Sequence, residues 1–349
     1  MKLLPFLFLA GCALDEPTYS DVEQFVKKEP GGDCPTYGCG TNSPETEGRP
    51  FWEQNEIGLA NDDGIRLVSF TKAINGYTYD YRLDVYNGQL LARNKTSGAI
   101  MLSGVGVLGA VMTFDDTVTN NRYYVTVSNV GMIRMWATPP VGTGIIAYTY
   151  DLLYNSDTDS NRRNLCSAAG EPTGDSMNPF SAVLFDDDEI DPEALRVVGE
   201  RSDWFNIGCA GSALAKLHLA GHTKAGSVLA GRSTTLPART AFLKMLTADY
   251  CGMGDAYTVA KMELHYRDAS GYLDTTRSGD AIEAIWGENG ALCVNTPRAE
   301  YSPNLLSWGL FGSSIDDELA DFRCTLPRPC VGRSLTFPRT GAYVLSTNY

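Results

Sequence analysis

From about residue 62 to residue 154, apolar and polar positions alternate with a period of two. Tyr77, Tyr79, Tyr81, Leu83 and Val85 interleave with Thr78, Asp80, Arg82 and Asp84, which predicts a strand with one apolar and one wet face. Asn75-Gly76 and Asn87-Gly88 bracket that strand, and each pair can supply the positive φ angles of a tight type I′ hairpin turn. Further strand-like runs lie at 100–102, 123–127, 132–136 and 145–153, with no helix-length period among them. Many short strands of this kind predict a β-rich domain over 51–160, sandwich or jelly-roll-like. Residues 155–195 then read as a connector. Asn155-Ser156-Asp157-Thr158-Asp159-Ser160-Asn161 and Asp186-Asp187-Asp188-Glu189 are polar, solvated and turn-prone.

The pattern changes after residue 200. Ala210, Leu214, Leu217 and Leu219 follow helical spacing, and a second helix begins near Pro237, a favoured first helical position. That helix carries Phe242, Met245 and Leu246 at i, i+3 and i+4. Strands return at 281–286 and 291–295, flanking the turn Gly287-Glu288-Asn289-Gly290. The expected class is therefore α+β, an N-terminal β-rich domain followed by a disulfide-stapled α+β domain over 161–349.

The start of the chain has its own pattern. Met1-Lys2, the apolar run Leu3-Leu4-Pro5-Phe6-Leu7-Phe8-Leu9 and the small pair Ala10-Gly11 form the three parts of an export signal over 1–11. Leu9-Ala10-Gly11-Cys12 matches the bacterial lipobox, in which the Cys12 thiol is joined to diacylglycerol and becomes the new first residue. The apolar run is far short of the roughly 20 residues a spanning helix needs. Acyl chains, at about 0.8 kcal/mol per buried methylene, would hold the protein to a bilayer. Residues 12–50, rich in charge, Pro and Gly, read as a flexible tether. The expected location is the cell envelope, at the outer membrane or the periplasmic face, with the extracellular side also open.

Composition narrows the function. Of 349 residues, 43% are hydrophobic and 20% charged, the proportions of a folded chain. A net charge of -14 argues against nucleic acid as a partner, because nothing here would release counterions from a phosphate backbone. It also argues against a polybasic grip on anionic lipid. The expected partners are the membrane, through the lipid, and an envelope partner or ligand.

Nine cysteines become eight once Cys12 carries lipid: Cys34, Cys39, Cys166, Cys209, Cys251, Cys293, Cys324 and Cys330. An even count in an exported chain predicts disulfides. A zinc site lacks the tight two-residue cysteine spacing it would need. Cys34–Cys39 and Cys324–Cys330 enclose short loops that can close locally. The remaining four can pair in three ways, of which Cys166–Cys209 with Cys251–Cys293 is favoured.

Thr247-Ala248-Asp249-Tyr250-Cys251-Gly252 resembles the signature of the ADYC-domain family, found in predicted lipoproteins of myxobacteria and relatives. Trp204-Phe205-Asn206-Ile207-Gly208-Cys209 adds to the likeness, as do Glu283-Ala284-Ile285-Trp286 and the run Ala291-Leu292-Cys293-Val294 with Arg298. The resemblance covers about 160–349. Cys34 to Pro44 also looks like lipoproteins of the same organisms. Members often carry two more cysteines, one in each helix, where this chain has Leu217 and Phe242; an apolar contact in place of a disulfide would account for both. The resemblance implies a location and a domain, and no reaction.

Candidate chemistry is sparse. Asp249 falls at i+7 from Phe242, on an apolar stripe near a helix C-terminus, where macrodipole and desolvation both oppose a carboxylate. It calls for compensation by an arginine such as Arg298 or by N–H groups of the Cys251 to Gly254 turn, and reads first as a buried structural carboxylate. His218 and His222, at i and i+4, could share a helix face and hold zinc, although the glutamate of a metalloprotease helix is missing. Asp157, Asp159 and Asn161 open like a calcium loop, but Arg162 and Ala168 replace its glycine and glutamate. Asp186 to Asp191 is a second acidic run. No Gly-x-Ser-x-Gly elbow occurs. Gly104-Val105-Gly106 lacks the Lys-Ser/Thr of a phosphate loop, so no cofactor is expected. A binding or structural module is thus the first expectation, and an envelope hydrolase using Asp249 or His218/His222 the second.

Overall fold

Asn75 and Gly76 hold φ angles of 52° and 82°, and Asn87 and Gly88 hold 49° and 74°. Both hairpins therefore turn as type I′, which sets the register of the first half of the sheet. The computed structural model describes residues 44–47, 49–137, 144–166, 177–178, 180–257, 264–271, 273–276, 281–297, 324–330 and 344–348. Its early strands are β1 (Glu45–Thr46), β2 (Arg49–Pro50), β3 (Gln54–Asn55), β4 (Ile65–Ile74), β5 (Tyr77–Tyr86), β6 (Gln89–Arg93), β7 (Ile100–Ser103) and β8 (Val111–Asp116). The next are β9 (Arg122–Arg134), β10 (Ile146–Ser156), β11 (Arg163–Asn164), β12 (Ser181–Asp191) and β13 (Arg196–Cys209). Helices α1 (Ala213–Leu219), α2 (Lys224–Leu229) and α3 (Leu236–Thr247) follow, and then β14 (His265–Asp268), β15 (Ala281–Gly287), β16 (Gly290–Val294) and β17 (Val344–Asn348).

An eleven-stranded antiparallel sheet has the order β3-β13-β12-β10-β9-β8-β4-β5-β6-β7, with β11 added on β10. It coils so that β5 and β6 face β12 across the core. The Leu90 N–H donates to the Tyr150 hydroxyl at 2.8 Å, and Leu83, Val85 and Leu90 share one apolar cluster with Leu184, Phe205 and Ile207. Coiling lets one sheet bury the inner faces of its central strands against one another. The expected α+β class holds. The division at residue 160 does not fall between sheets, because β12 and β13 extend the sheet that β4 to β10 build.

Three other expectations change. The expected connector 155–195 contains β12, an eleven-residue strand. Its start, Ser181-Ala182-Val183-Leu184-Phe185, is apolar and buried, and its acidic end finds cationic partners on the helices. Tyr77 and Tyr79, expected on the apolar face of β5, are 71% and 47% exposed, because the β4–β5 hairpin projects beyond the core that holds Tyr81, Leu83 and Val85. Helix α2, capped by the Thr223 hydroxyl accepting from the Gly226 N–H at 2.8 Å, had no periodic signal in six residues.

A second layer packs α1 and α3 against β13 and a four-stranded sheet ordered β14-β17-β15-β16. Leu217 and Phe242 lie fully buried in one cluster with Trp286 and Tyr250. Among the described residues no helix is long and apolar enough to cross a membrane.

The disulfides are Cys166–Cys209, Cys251–Cys324 and Cys293–Cys330. The first is the favoured pairing. Cys251–Cys293 and Cys324–Cys330 are replaced, because residues 324–330 lie as a strap along β16 and each end meets a different sulfur. The strap is registered by the Arg328 carbonyl, which accepts from the Val294 N–H at 3.3 Å, and by the Cys330 N–H, which donates to the Asn295 side chain at 2.7 Å. Cys34 and Cys39 lie outside the described residues, as do Cys12 and the expected tether up to residue 43; its expected last part instead contains the paired strands β1 and β2, with Thr46 buried.

Candidate functional site

The residues around Asp249 form a knot. Ala248 ends α3 in the left-handed region at φ 55°, and the Asp249 N–H donates back to the Lys244 carbonyl at 3.0 Å. Asp249 is therefore two residues beyond the helix, not on its stripe. Its carboxylate is fully buried and accepts from the N–H groups of Met253 (3.1 Å) and Gly254 (2.8 Å). The expected turn contacts are present. The cation is Lys244, one helical turn back, rather than an arginine; Arg298 lies outside the described residues. Burial pulls the Lys244 ammonium down from its ordinary range, and Asp249 partly restores it. Tyr250 packs on Trp286 with ring centroids 4.8 Å apart and donates its hydroxyl to Glu283. Cys251 ties the turn to Cys324. Gly254 at φ 90° passes so close to Glu193 that a Cβ would fall 1.7 Å from its carbonyl oxygen.

The two histidines do not share a face. Helix α1 stops at Leu219, and Gly221 at φ 70° turns the chain before His222. His218 is fully buried, stacks on Phe185 at 5.5 Å and bonds the Thr223 hydroxyl through Nδ1 at 2.9 Å. His222 stacks on Phe242 at 4.1 Å. His222 Nδ1 lies 2.9 Å from the Arg232 guanidinium and 3.1 Å from the Ala220 carbonyl, and its Nε2 lies 3.6 Å from Asp268. Burial pushes His218 down to about 4 and His222 to about 3, leaving both neutral. Among the described residues no group of three or more His, Cys, Asp or Glu converges to hold a metal ion. Asp159 accepts from the Asn161 N–H at 2.9 Å and pairs with Arg163, and Asp157 accepts from the Tyr124 hydroxyl at 3.0 Å. The residues that open like a calcium loop are thus occupied by local hydrogen bonds.

A concave feature lies elsewhere. A cleft of about 320 Å³ opens between the β5–β6 turn, the β12 bulge and α2. It is lined by Glu56, Asp84, Asp186, Asp187 and Asp203, with Lys224 as the cation, and by Val85, Tyr86, Ala225 and Val228.

Local structure fixes each acid. Asn55 accepts from the N–H groups of Ile57 (3.0 Å) and Leu59 (2.9 Å), and the Glu56 N–H donates to the Asp203 carbonyl at 2.8 Å. Glu56 then reaches inward, where Oε1 accepts from the Val85 N–H at 2.6 Å. Asp187 sits in a bulge of β12 at φ 70°, so the acids on either side reach different partners. Asp186 accepts from the Gly88 N–H at 3.2 Å. Asp188 accepts from the Lys224 N–H and from Arg239, both at 2.7 Å, while Lys224 reaches Asp187 (3.1 Å) and Glu200 (2.9 Å). Desolvation raises Glu56 to about 8 and Asp186 to about 6, with neighbouring acids adding to the rise. Desolvation likewise raises Asp188 to about 6 against the pull of Arg239.

The wall of this cleft had little signal in the sequence. Glu56, Asp84 and Asp203 are far apart along the chain, and Asp186 and Asp187 read as linker. Only the acidic run itself pointed there.

A model of the ADYC domain matches residues 106–300, more than half of the chain. The match begins earlier than residue 160, taking in part of the sheet, and includes the helices and the Asp249 knot. No characterised protein and no solved structure matches the chain. By its extent and by the motif residues it contains, the chain belongs to the ADYC-domain family.

Proposed function

We propose that this chain is a lipid-anchored lipoprotein of the cell envelope that acts as a binding module, tethered through Cys12 and offering its cleft to a ligand. The observation that carries the binding reading is a contrast in burial. Asp249, His218 and His222, which a hydrolase would need, are sealed in the core and engaged by Lys244, Thr223 and Arg232. The acids around the cleft stand instead at a preformed concavity of the size that small ligands occupy. The lipobox supports the anchor, and the charge, Pro and Gly of the sequence after Cys12 support a tether.

The test is made on protein expressed with its own leader. Mass spectrometry should find diacylglycerol on Cys12 and no residues 1–11, and Cys12→Ser should move the protein from the membrane to the soluble fraction. An unmodified, unprocessed N-terminus overturns the anchor. Stoichiometric zinc lost on replacing His218 or His222 overturns the preference for binding over metal-assisted hydrolysis.

A further inference from the structure

We propose that Cys251–Cys324 is a thiol-exchange latch: a dithiol opens it ahead of Cys166–Cys209 and Cys293–Cys330, and the near end of the 324–330 strap then swings off the turn after α3 while its far end stays pinned. Access is the first reason. Cys166 and Cys209 are 1% and 0% exposed, and Cys293 and Cys330 are 3% and 4% exposed, so a thiolate reaches those sulfurs only after the structure around them opens. Cys251 and Cys324 are both half-buried. Exchange begins when a thiolate touches a disulfide sulfur, so access decides which link reacts first.

The second reason is that the two halves of the bond are held unequally. Cys251 stands on a braced turn. Asp249 accepts from the N–H groups of Met253 and Gly254, the Gly252 N–H donates to the Asp249 carbonyl at 3.2 Å, and the Tyr250 carbonyl accepts from the Ala291 N–H at 3.0 Å. Cys324 has no comparable brace among the described residues. The hydrogen bonds from Val294 to the Arg328 carbonyl and from Cys330 to Asn295 both lie toward the far end of the strap, beside the buried Cys293–Cys330 link. Pro327 and Pro329 carry no N–H, so the strap cannot zip onto β16 as a regular strand. The near end is held by its disulfide and by half-buried Leu326, which packs against the cluster that contains Trp286, Ala291 and Val294.

The exchange balances without any other reactant. One thiolate of the dithiol bonds to a sulfur of the pair, the S–S bond breaks, and the displaced cysteine leaves as a thiolate that takes up a proton. The second thiol of the reagent then attacks the mixed disulfide, loses its proton and releases the other cysteine. The protein gains two thiols and the dithiol becomes a disulfide. Freed at one end, the strap withdraws Leu326 from the cluster and uncovers the edge of β16, which it otherwise shields from pairing with another strand. The turn itself stays in place, because Asp249 and Lys244 hold it from within.

The experiment treats the full chain with graded dithiothreitol in the absence of denaturant, caps free thiols with iodoacetamide, and follows peptide maps and amide hydrogen exchange on the same samples. Cys251 and Cys324 should be alkylated first, with 166–209 and 293–330 still linked. At that stage the Val294 amide should exchange about tenfold faster or more, while Met253 and Gly254 keep their protection. Reoxidation should restore the slow exchange. The double variant Cys251→Ser with Cys324→Ser should show the fast Val294 exchange without reductant and no further change at the dose that opens the latch. Opening of 166–209 or 293–330 first or together with 251–324 overturns the inference. So does selective opening that leaves Val294 protected, which makes the bond an exposed brace with no motion attached. Loss of Met253 and Gly254 protection along with Val294 also overturns it, because the link would then support the turn instead of latching the strap.

Discussion

Asp249 shows how one carboxylate can organise a domain. It joins the last turn of α3, through Lys244, to the turn that delivers Cys251, and both of its oxygens accept hydrogen bonds. Removing its charge leaves the Lys244 ammonium buried without a counter-ion, a loss of about 3–5 kcal/mol where such pairs are broken from one side. Asp249→Asn should therefore lower the melting temperature by many degrees with no change in any surface property. An unchanged melting curve would sink the account of a sealed ion pair. This residue was legible in the sequence, because a lone acid close after an apolar helical stripe demands compensation. It misplaced the cation, since Lys244 counts as a solvent-seeking residue until the packing of α3 against β13 and β15 leaves it no route out.

At the scale of elements, hairpins and helix starts were legible because their determinants are local. Asn-Gly pairs impose φ signs that two residues decide, and Pro237 marks the opening of α3. Strand β12 was not legible, since its acidic half is stabilised by Arg239 and Lys224, which stand on α3 and α2. Disulfide pairing behaved likewise. Nearness in sequence favoured Cys324–Cys330, but residues 324–330 run extended along β16 and hold the two thiols to different partners. A non-reduced peptide map should give 166–209, 251–324 and 293–330; a 251–293 cross-link would refute the strap. Replacing Cys166 and Cys209 together by alanine should cost about 2–4 kcal/mol, read as a lower denaturant midpoint, while the other two links persist.

For the whole molecule, the buried ionisable groups set a stability profile. His218 and His222, with pKa values lowered to about 4 and about 3, bind fewer protons folded than unfolded. Their contribution is thus present above their unfolded pKa near 6.5 and is lost as pH falls below it. Glu53 and Glu56, raised by burial to about 7 and about 8, do the opposite: the folded chain holds protons that the unfolded chain has released. Stability therefore falls as pH climbs from about 5 to 8, and Asp186 and Asp188, raised to about 6, add to the fall at its acid end. Melting temperature should be highest on the acid side of neutrality and decline toward pH 8. Glu56→Gln should flatten that decline; an equally steep decline in the variant would show that Glu56 is not the group responsible.

What the sequence determined by itself follows from short-range rules. Period-two alternation, Asn-Gly turns, helix spacing, the count of cysteines and the motif around Asp249 each depend on residues within a dozen positions of one another, and they carried the fold class and the family. What only the tertiary structure decided depends on residues brought together from distant segments. The coiling of one sheet through residue 160, the partners of Cys251 and Cys293, the separation of His218 from His222 and the wall of acids around the cleft all arise this way. A carboxylate's environment is set by what is packed against it, and no spacing along the chain encodes that Glu56, Asp186 and Asp203 face one another.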